Sequence, residues 1–261
     1  MRRRYRVALS LILLLSTILI STFFTEKTKL SLAEVNNDKP IYRVKTEEKI
    51  IAITFDINWA ENDELYNILE VLDKYNVKAT FFIMGGWVNY SDENREKLIK
   101  IKEGGHEIGN HSYIHPMFSK ITEGRMKEEL EKTNKIIKDT IGEEVKLFRF
   151  PSGDYSKKAC EFIYSQGMVG IQLDVDSVDW KQTGAEEEYN RVMKKVIPGS
   201  ILLFHNNAKY TPGNLDKIIG ELQKEDYKFA KVGEIIYDND YFINEKGEQI
   251  KNIEKWWYNV L

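Results

Sequence analysis

From Lys49 onward, short apolar runs alternate along the chain with longer amphipathic stretches. The apolar, β-branched runs predict strands, and the stretches in which apolar side chains recur every three or four residues predict helices. The predicted strands are 50–55, 78–84, 106–109, 145–150, 169–175, 200–204 and 228–231. The predicted helices are 63–75, 93–102, 122–140, 157–166, 185–196 and 215–222.

This alternation favours a parallel sheet, which can close as a barrel or stay open and doubly wound. An open sheet would concentrate its site at one switch point and would usually carry a glycine-rich phosphate turn, which the sequence lacks. Candidate chemical residues instead follow the ends of several predicted strands, as in barrel enzymes. These residues are Asp56, His111, Arg149, Asp176 and His205. We therefore predict a (β/α) barrel over residues 47–238.

The first 24 residues have a different pattern. Four arginines precede an uncharged apolar run at residues 7–24, which has the positive flank and length of a signal peptide or membrane-spanning helix. We predict an uncleaved membrane anchor, with cleavage near Ser31-Leu32-Ala33 as the alternative, and a domain outside the cytoplasmic membrane. Residues 25–46 are charged and lack periodicity, which predicts a linker, and residues 239–261 are predicted to be a C-terminal extension packed on the barrel.

Charge and cysteine content narrow the class of protein. Beyond residue 24 the chain carries 34 basic and 41 acidic side chains, a formal net charge of −7. This balance argues against nucleic acid as a partner. The single cysteine, Cys160, has no disulfide partner in the chain, so an exported domain must depend on its apolar core for stability.

Histidines are scarce and concentrated in one segment. Three of the four, His106, His111 and His115, fall within ten residues. On a helical turn, the spacing of the last two would direct both imidazoles to one point, which suits a divalent metal. A zinc protease would place its general-base glutamate directly after the first histidine, where this chain has Ser112. The alternative is a pair of structural histidines, which is also the role that we predict for His106.

Five short motifs occur in a fixed order. They are Thr54-Phe55-Asp56, His-Ser-Tyr-Ile-His from His111 to His115, Arg149-Phe150-Pro151, Asp176-Ser-Val-Asp179-Trp180 and Leu203-Phe204-His205. The set resembles the polysaccharide deacetylases of carbohydrate esterase family 4, the NodB homology domain, over roughly residues 50–236. This resemblance implies a distorted (β/α) barrel with fewer than eight complete strands. The segment from Thr54 to Trp59 is most similar to the PdaB-type group associated with sporulation.

The resemblance implies hydrolysis of the N-acetyl group of an amino sugar in a cell-wall glycan, and we expect this glycan to be peptidoglycan. It implies that His111 and His115 bind a divalent metal, with zinc expected. Asp56 would be the general base, kept ionised by Arg149. The protein would act at the cell membrane through its anchor, or be secreted to the cell wall.

The remaining implied roles concern the leaving group and the substrate pocket. His205 would be the general acid, and Asp176 would raise its pKa by favouring the imidazolium. The backbone N–H of Ser152 would help to stabilise the oxyanion. Trp180 and Leu203 would form the walls of a small pocket for the acetyl methyl group. Outside the motifs, Trp87, Tyr90 and Tyr210 suggest either stacking on sugar rings or ordinary packing.

Two positions depart from the family's pattern. The typical first motif is Thr-Phe-Asp-Asp-Gly, whose second aspartate is a metal ligand, and Ile57 stands at that position. An isoleucine cannot coordinate a cation, so metal affinity should fall. Asn58 or Asp56 itself could supply a replacement oxygen. Ser152 stands where the family usually has an aromatic residue.

Three functions therefore stay open. The first is an active deacetylase with a weakly held metal, which the intact base, arginine and acid favour. The second is a catalytically degenerate homologue that binds glycan or acts as a scaffold during spore-wall assembly, which Ile57 favours. The third is a glycoside hydrolase that uses Asp56 and Asp176 as paired carboxylates, but this hypothesis leaves His111 and His115 without a role.

Overall fold

The computed structural model describes residues 38–252. The predicted anchor at residues 1–24 and most of the predicted linker lie outside this part of the chain. Within residues 38–252, no helix has both the length and the apolar character needed to span a membrane.

The described part of the chain contains alternating strands and helices. The strands are β1 (Arg43–Val44), β2 (Ile50–Ile57), β3 (Thr80–Ile83), β4 (Glu107–Asn110), β5 (Leu147–Arg149), β6 (Val169–Ile171), β7 (Val175–Asp176), β8 (Ile201–His205), β9 (Lys228–Phe229), β10 (Tyr241–Ile243) and β11 (Glu248–Lys251). The α-helices are α1 (Leu65–Lys74), α2 (Gly85–Val88), α3 (Asp92–Glu103), α4 (Glu123–Ile141), α5 (Lys157–Ser165), α6 (Ala185–Met193), α7 (Thr211–Lys224) and α8 (Val232–Ile235). Short 3-10 helices span Phe118–Lys120, Pro151–Gly153 and Asp179–Lys181.

The main sheet is parallel and open. Its strands follow the order β6-β5-β4-β3-β2-β8-β7, and β9 also pairs with β2. Because β6 and β7 end this order without pairing with each other, the described strands form a half-barrel and not a closed barrel. The predicted parallel α/β architecture is confirmed, and the barrel is incomplete. The predicted strand 169–175 is divided, since the Gln172 amide donates to the carbonyl of Ile41 and not to a sheet neighbour.

The central strand β2 separates the apolar core from the polar interior. Successive side chains of a strand point to opposite sides. Phe55 and Ile57 belong to the apolar cluster that includes side chains of α1, α3 and α7. Thr54 and Asp56 lie on the other side, where both accept hydrogen bonds from Arg149. The pleat therefore directs Asp56 toward the polar residues and Ile57 away from them.

The longest helix, α4, follows its predicted pattern. Thr122 caps its start by accepting a hydrogen bond from the Arg125 amide, and Gly142 ends it with a left-handed φ of 75°. Its predicted apolar stripe is buried. Cys160 on α5 is free and buried in a second apolar cluster.

A second, three-stranded sheet joins the two ends of the described chain. β1 pairs with β11 in parallel, and β10 pairs with β11 in antiparallel orientation. Ile41 and Val44 are buried. The segment predicted as a linker up to residue 46 is therefore part of the folded domain from Ile41 onward, which corrects that prediction. A two-residue strand is too short to show a periodic pattern.

Candidate active site

Asp56 lies near the carboxyl end of β2, directly beside His205 in the register of β2 with β8. Arg149, at the end of β5, donates from Nη1 to Asp56 Oδ1 at 2.9 Å and to Thr54 Oγ1 at 2.8 Å. Its Nη2 donates to the Gln172 carbonyl at 3.1 Å, and its guanidinium lies 4.1 Å from the ring centre of Phe82. These contacts hold a buried cation in one position against the carboxylate.

This cation sets the charge state of Asp56. Burial alone would raise the pKa of Asp56, but the positive charges of His111 when protonated, of Arg149 and of His205 lower it below its ordinary value. Arg149 is the partner that is always charged. Asp56 is therefore ionised at neutral pH, as a general base must be.

His111 and His115 face each other across a loop. Their ring centres are 4.9 Å apart and their planes meet at 73°. The loop that follows β4 is irregular, and Ser112 and His115 adopt left-handed φ values of 65° and 63°. The prediction that the pair lies on a helical turn was wrong, because two left-handed residues, and not helical periodicity, bring the imidazoles together.

The backbone of this loop is held by side-chain acceptors. The Ser112 amide donates to Asn110 Oδ1 at 2.7 Å, and the His115 amide donates to Ser112 Oγ at 2.9 Å. The amides of Tyr113 and Ile114 both donate to Glu129 Oε2, at 2.8 and 2.9 Å. Four consecutive N–H groups that no helix or strand pairs are thereby satisfied, which fixes the loop.

His111 has the tautomer of a metal ligand. Its Nδ1 lies 3.0 Å from the carbonyl oxygen of Arg149, so Nδ1 carries the proton and donates it. Its Nε2 is buried without a hydrogen-bond partner and lies 3.5 Å from Asp56 Oδ2. Burial lowers the pKa of His111 to about 4, and burial also lowers the pKa of His115. Both rings are therefore neutral at pH 7 and available for coordination.

The third protein ligand that the resemblance implies is replaced by Ile57, which cannot coordinate a metal. Ile57 packs in the apolar cluster, and the Asn58 backbone is hydrogen-bonded to the side chain of Asn206. Between residues 38 and 252, no group of three or more histidine, cysteine, aspartate or glutamate side chains is arranged to hold a metal. The unpartnered Nε2 of His111 fits a cation, and Asp56 Oδ2 is a carboxylate oxygen within reach of that nitrogen. The residues present thus fit a two-imidazole site without the usual second aspartate.

His205 is paired with Asp179 and not with Asp176. Its Nδ1 lies 2.7 Å from Asp179 Oδ1, and its amide donates to Asp179 Oδ2 at 2.8 Å. Thr211 Oγ1 also donates to Asp179 Oδ2 at 2.7 Å. Burial alone would lower the pKa of His205, but the hydrogen bond and charge of Asp179 raise it, with weaker help from Asp56 and Asp176. His205 is therefore protonated to a higher pH than an ordinary histidine.

Asp179 is thus the direct partner of His205, and the predicted effect of Asp176 on the pKa of His205 is limited to a weaker one through its charge. Asp176 Oδ1 accepts a hydrogen bond from the Val178 amide at 2.8 Å and so holds the turn after β7. Val178 has a left-handed φ of 59° and leads into the 3-10 helix that contains Asp179. The spacing of the Asp-Ser-Val-Asp-Trp motif would allow either aspartate to pair with His205 on β8. The geometry of the turn after β7 determines that Asp179 does so.

The predicted pocket residues lie in different environments. Ser152 sits in the 3-10 helix directly after β5, with a left-handed φ of 56°. Leu203 is buried on β8, in register with Thr54 on one side and Asp176 on the other. Trp180 is 54% exposed, and Lys181 Nζ lies 5.1 Å from its ring centre. Of the two predicted pocket walls, only Leu203 is therefore buried.

His106 has the structural role predicted for it. Its Nδ1 accepts a hydrogen bond from the Ala79 amide at 3.2 Å, and its ring packs edge-on against Phe81. Burial lowers the pKa of His106 to about 4. It lies at the start of β4, at the opposite end of that strand from His111.

Comparison with known proteins gives the family. Residues 43–171 match the sequence model of the family named Polysaccharide deacetylase. The peptidoglycan-N-acetylmuramic acid deacetylase PdaA of Bacillus subtilis is 32% identical over 204 residues, which cover 76% of this chain and 76% of PdaA. The uncharacterised protein YlxY of Bacillus subtilis is 35% identical over 198 residues, covering 76% of this chain and 60% of YlxY.

Solved structures agree with the sequence comparison. One is a mutant of BA3943, a carbohydrate esterase family 4 pseudoenzyme of Bacillus anthracis, in which enzymatic activity was restored. It has 35% sequence identity and a TM-score of 0.71, and the match covers 76% of this chain and 71% of the mutant. Relatives of this chain thus include both a protein named as a deacetylase and a protein whose wild-type form is described as a pseudoenzyme. On this combined evidence, the chain belongs to the polysaccharide deacetylase family.

Proposed function

We propose that this protein hydrolyses the N-acetyl group of an amino sugar in a cell-wall glycan, with peptidoglycan as the substrate. One observation carries the proposal: Asp56, bonded to Arg149, and the His205–Asp179 pair stand side by side on adjacent strands, and His111 Nε2 lies 3.5 Å from Asp56 Oδ2. The names of the relatives support the substrate class.

The proposed reaction needs a base, an acid and a stabilised oxyanion. Asp56 removes a proton from the water whose oxygen bonds to the amide carbon. The Ser152 N–H donates to the resulting oxyanion. As the carbon–nitrogen bond breaks, His205 gives its proton to the departing amine, and the products are the free amino sugar and acetic acid. A divalent cation held by His111 and His115, for which zinc is our proposal, would supply Lewis acidity at the carbonyl and the water.

The test is acetate release from peptidoglycan and from N-acetylglucosamine polymers, measured with excess Zn²⁺. Wild type is expected to release acetate slowly, because the second aspartate is missing. Asp56→Asn should lower the rate by roughly 10² to 10⁴. Asp139→Asn on the exposed face of α4 is the matched control. Equal turnover in Asp56→Asn and wild type, with equal metal content, would reject the assignment of Asp56.

A second candidate function is glycan binding without catalysis. The burial of Ile57 in the apolar cluster favours it, and so does the relationship to a pseudoenzyme. This candidate requires that no amino-sugar polymer yield acetate at saturating Zn²⁺ while the same polymers still bind. Acetate release that depends on Asp56 would exclude it.

We also propose that residues 1–24 anchor the protein in the cytoplasmic membrane, with the catalytic domain outside. The proposal is supported by the arginines that precede the apolar run. Protease treatment of intact cells from which the wall has been removed should digest the domain and spare a cytoplasmic marker.

We further propose a role in spore formation. The similarity of residues 54–59 to the PdaB-type group supports this role, and a deletion strain examined for spore-wall defects would test it.

A further inference from the structure

A cleft lies beside the histidine loop, to which α2 is joined by a hydrogen bond from the Gly86 amide to the Tyr113 carbonyl at 2.9 Å. It has a volume of about 630 Å³ and lies between the segment after β2, the start of α1, and the helices α2 and α3. Aromatic and charged side chains line it. The reaction described above does not use them.

Three exposed aromatic side chains share this cleft. Trp59 is 43% exposed, Tyr66 is 45% exposed and Tyr90 is 75% exposed. Trp87, in contrast, is buried and forms part of the cleft wall as a core residue. Single exposed apolar side chains are ordinary, but several on one concave surface indicate a binding site. Aromatic faces with a polar tip suit a ligand that has both apolar and hydroxyl surfaces.

Trp59 forms a wall of the cleft where it packs against Gly86. Its indole lies against Gly86 so closely that a Cβ atom on Gly86 would be 3.1 Å from Trp59 Cζ2. The preceding residue, Asn58, donates its amide to Asn206 Oδ1 at 3.0 Å and accepts from Asn206 Nδ2 at 3.1 Å. Asn206 directly follows His205. The cleft is therefore tied to the two strands that carry the proposed base and acid.

The charge of the cleft is negative. Lys97 is largely buried, and its Nζ lies 3.1 Å from Asp63 Oδ2 and 2.7 Å from Glu93 Oε1. Burial alone would lower the pKa of Lys97, but hydrogen bonds to the two carboxylates raise it, so the ammonium stays charged and paired. Glu61 is an additional exposed carboxylate in the lining. Three acidic groups against one basic group favour a ligand with a positive charge.

We propose that this cleft binds the sugar units adjacent to the reacting one, with Trp59 and Tyr90 stacking on sugar rings, and that it prefers units whose amine is already free. This inference rests on the proposed function. A deacetylated amino sugar has a ring that can stack on an aromatic side chain and an ammonium group that is attracted to carboxylates. It therefore fits both the aromatic lining and the negative charge of the cleft. The protein then binds partly deacetylated glycan more tightly than fully acetylated glycan.

The experiment measures binding of two probes by isothermal titration calorimetry, an N-acetylglucosamine hexamer and a glucosamine hexamer. All proteins carry Asp56→Asn, so that the acetylated probe is not consumed. Wild-type cleft should bind the glucosamine hexamer more tightly, and high salt should reduce this difference. Trp59→Ala and Tyr90→Ala should each weaken binding of both probes by about tenfold. Glu61→Gln should reduce the preference, by weakening binding of the glucosamine hexamer more than binding of the acetylated one, because it removes one of the three carboxylates of the cleft.

Ile197→Ala is the matched control, because Ile197 is similarly exposed and precedes the amino end of β8. It should bind as wild type does. Circular dichroism establishes that each variant is folded, and the exposed Tyr90 gives a variant with little effect on the core. Equal affinity of Trp59→Ala, Tyr90→Ala and wild type for both hexamers would overturn the proposal.

Failure of the cleft proposal is distinguishable from failure of the proposed function. If the protein with Asp56 intact releases acetate but the aromatic variants bind normally, the cleft proposal falls and the deacetylase stands. If no acetate is released but binding depends on Trp59 and Tyr90, the cleft stands and the deacetylase falls.

Discussion

At the scale of single residues, one side chain decides the acidity of His205. Asp179 is fully buried and accepts hydrogen bonds from the ring and amide of His205 and from Thr211. These three donors fix the orientation of the Asp179 carboxylate toward the imidazole of His205. Asp176, with its side chain in a turn, acts on His205 only through its more distant charge.

We predict that Asp179→Asn shifts the pH profile of kcat/KM. The raised pKa keeps His205 protonated as pH increases, so losing Asp179 should lower that pKa and move the alkaline limb to lower pH. Asp176→Asn is the control and should move this limb much less. The profile is measured by acetate release between pH 5 and 9, at temperatures where both variants are folded. A larger shift in Asp176→Asn would restore the role first assigned to that residue.

Sequence patterns predict residue types better than residue pairings. The motifs indicated Asp56, Arg149, His111, His115 and His205, and the fold brings these together. The choice between Asp176 and Asp179 depends on the left-handed φ of Val178. No local signal predicts that conformation, because a β-branched residue rarely adopts it.

At the scale of elements, α4 supports the histidine loop. Glu129 is buried on the side of this helix that faces the loop, and its Oε2 accepts the amides of Tyr113 and Ile114. Arg125, one turn earlier in the helix, donates a hydrogen bond from Nη2 to Glu129 Oε1. The position of the two imidazoles thus depends on a residue outside all five motifs, which sequence reasoning missed.

Glu129→Ala is predicted to loosen this loop. It leaves two part-buried N–H groups without their acceptor and removes one of the two carboxylate partners of Arg125, which should cost about 1 to 2 kcal/mol of unfolding free energy. Acetate release should fall further than the loss of folded protein explains, because the imidazoles lose their fixed separation. Urea denaturation and initial rates measure the two effects. Glu131→Ala, on the exposed face of the same helix, should change neither, and a Glu129→Ala enzyme with full activity per folded molecule would contradict this role.

The sequence predicts a helix or strand well where the apolar pattern extends over many residues, but it does not predict which strands pair with each other. The helices at 63–75 and 122–140 were predicted within a few residues of α1 and α4, because each has an apolar stripe that spans several turns. β1 and β7, with two residues each, carry no such pattern. The pairing of β1 with β11 joins residues about two hundred positions apart, and no pattern within either segment predicts it.

At the scale of the whole molecule, the packing of β2 decides between catalysis and binding. The strand extends to Ile57, which pairs with Ile83 and contributes to the apolar cluster shared with the surrounding helices. A carboxylate at this position would have to leave the core to reach His111 and His115. At this position the family's usual metal ligand is an aspartate, whereas Ile57 contributes to the apolar core. The identity of residue 57 therefore affects both the metal affinity and the stability of the protein.

Ile57→Asp tests this coupling. Without metal, the variant should lose about 2 to 4 kcal/mol of unfolding free energy, because an apolar side chain is lost from the core and a charge is introduced there. With Zn²⁺, the new carboxylate can turn toward the imidazoles, and binding to the folded state alone raises the melting temperature. The Zn²⁺-dependent increase in melting temperature should therefore be larger in Ile57→Asp than in wild type, and acetate release should rise with it. Ile57→Asn, of similar size and without charge, should lose stability but gain less from Zn²⁺. The opposite outcome is that Zn²⁺ raises the melting temperature of Ile57→Asp no more than that of wild type. This outcome would mean that a carboxylate at residue 57 cannot reach the two imidazoles and does not complete a metal site with them.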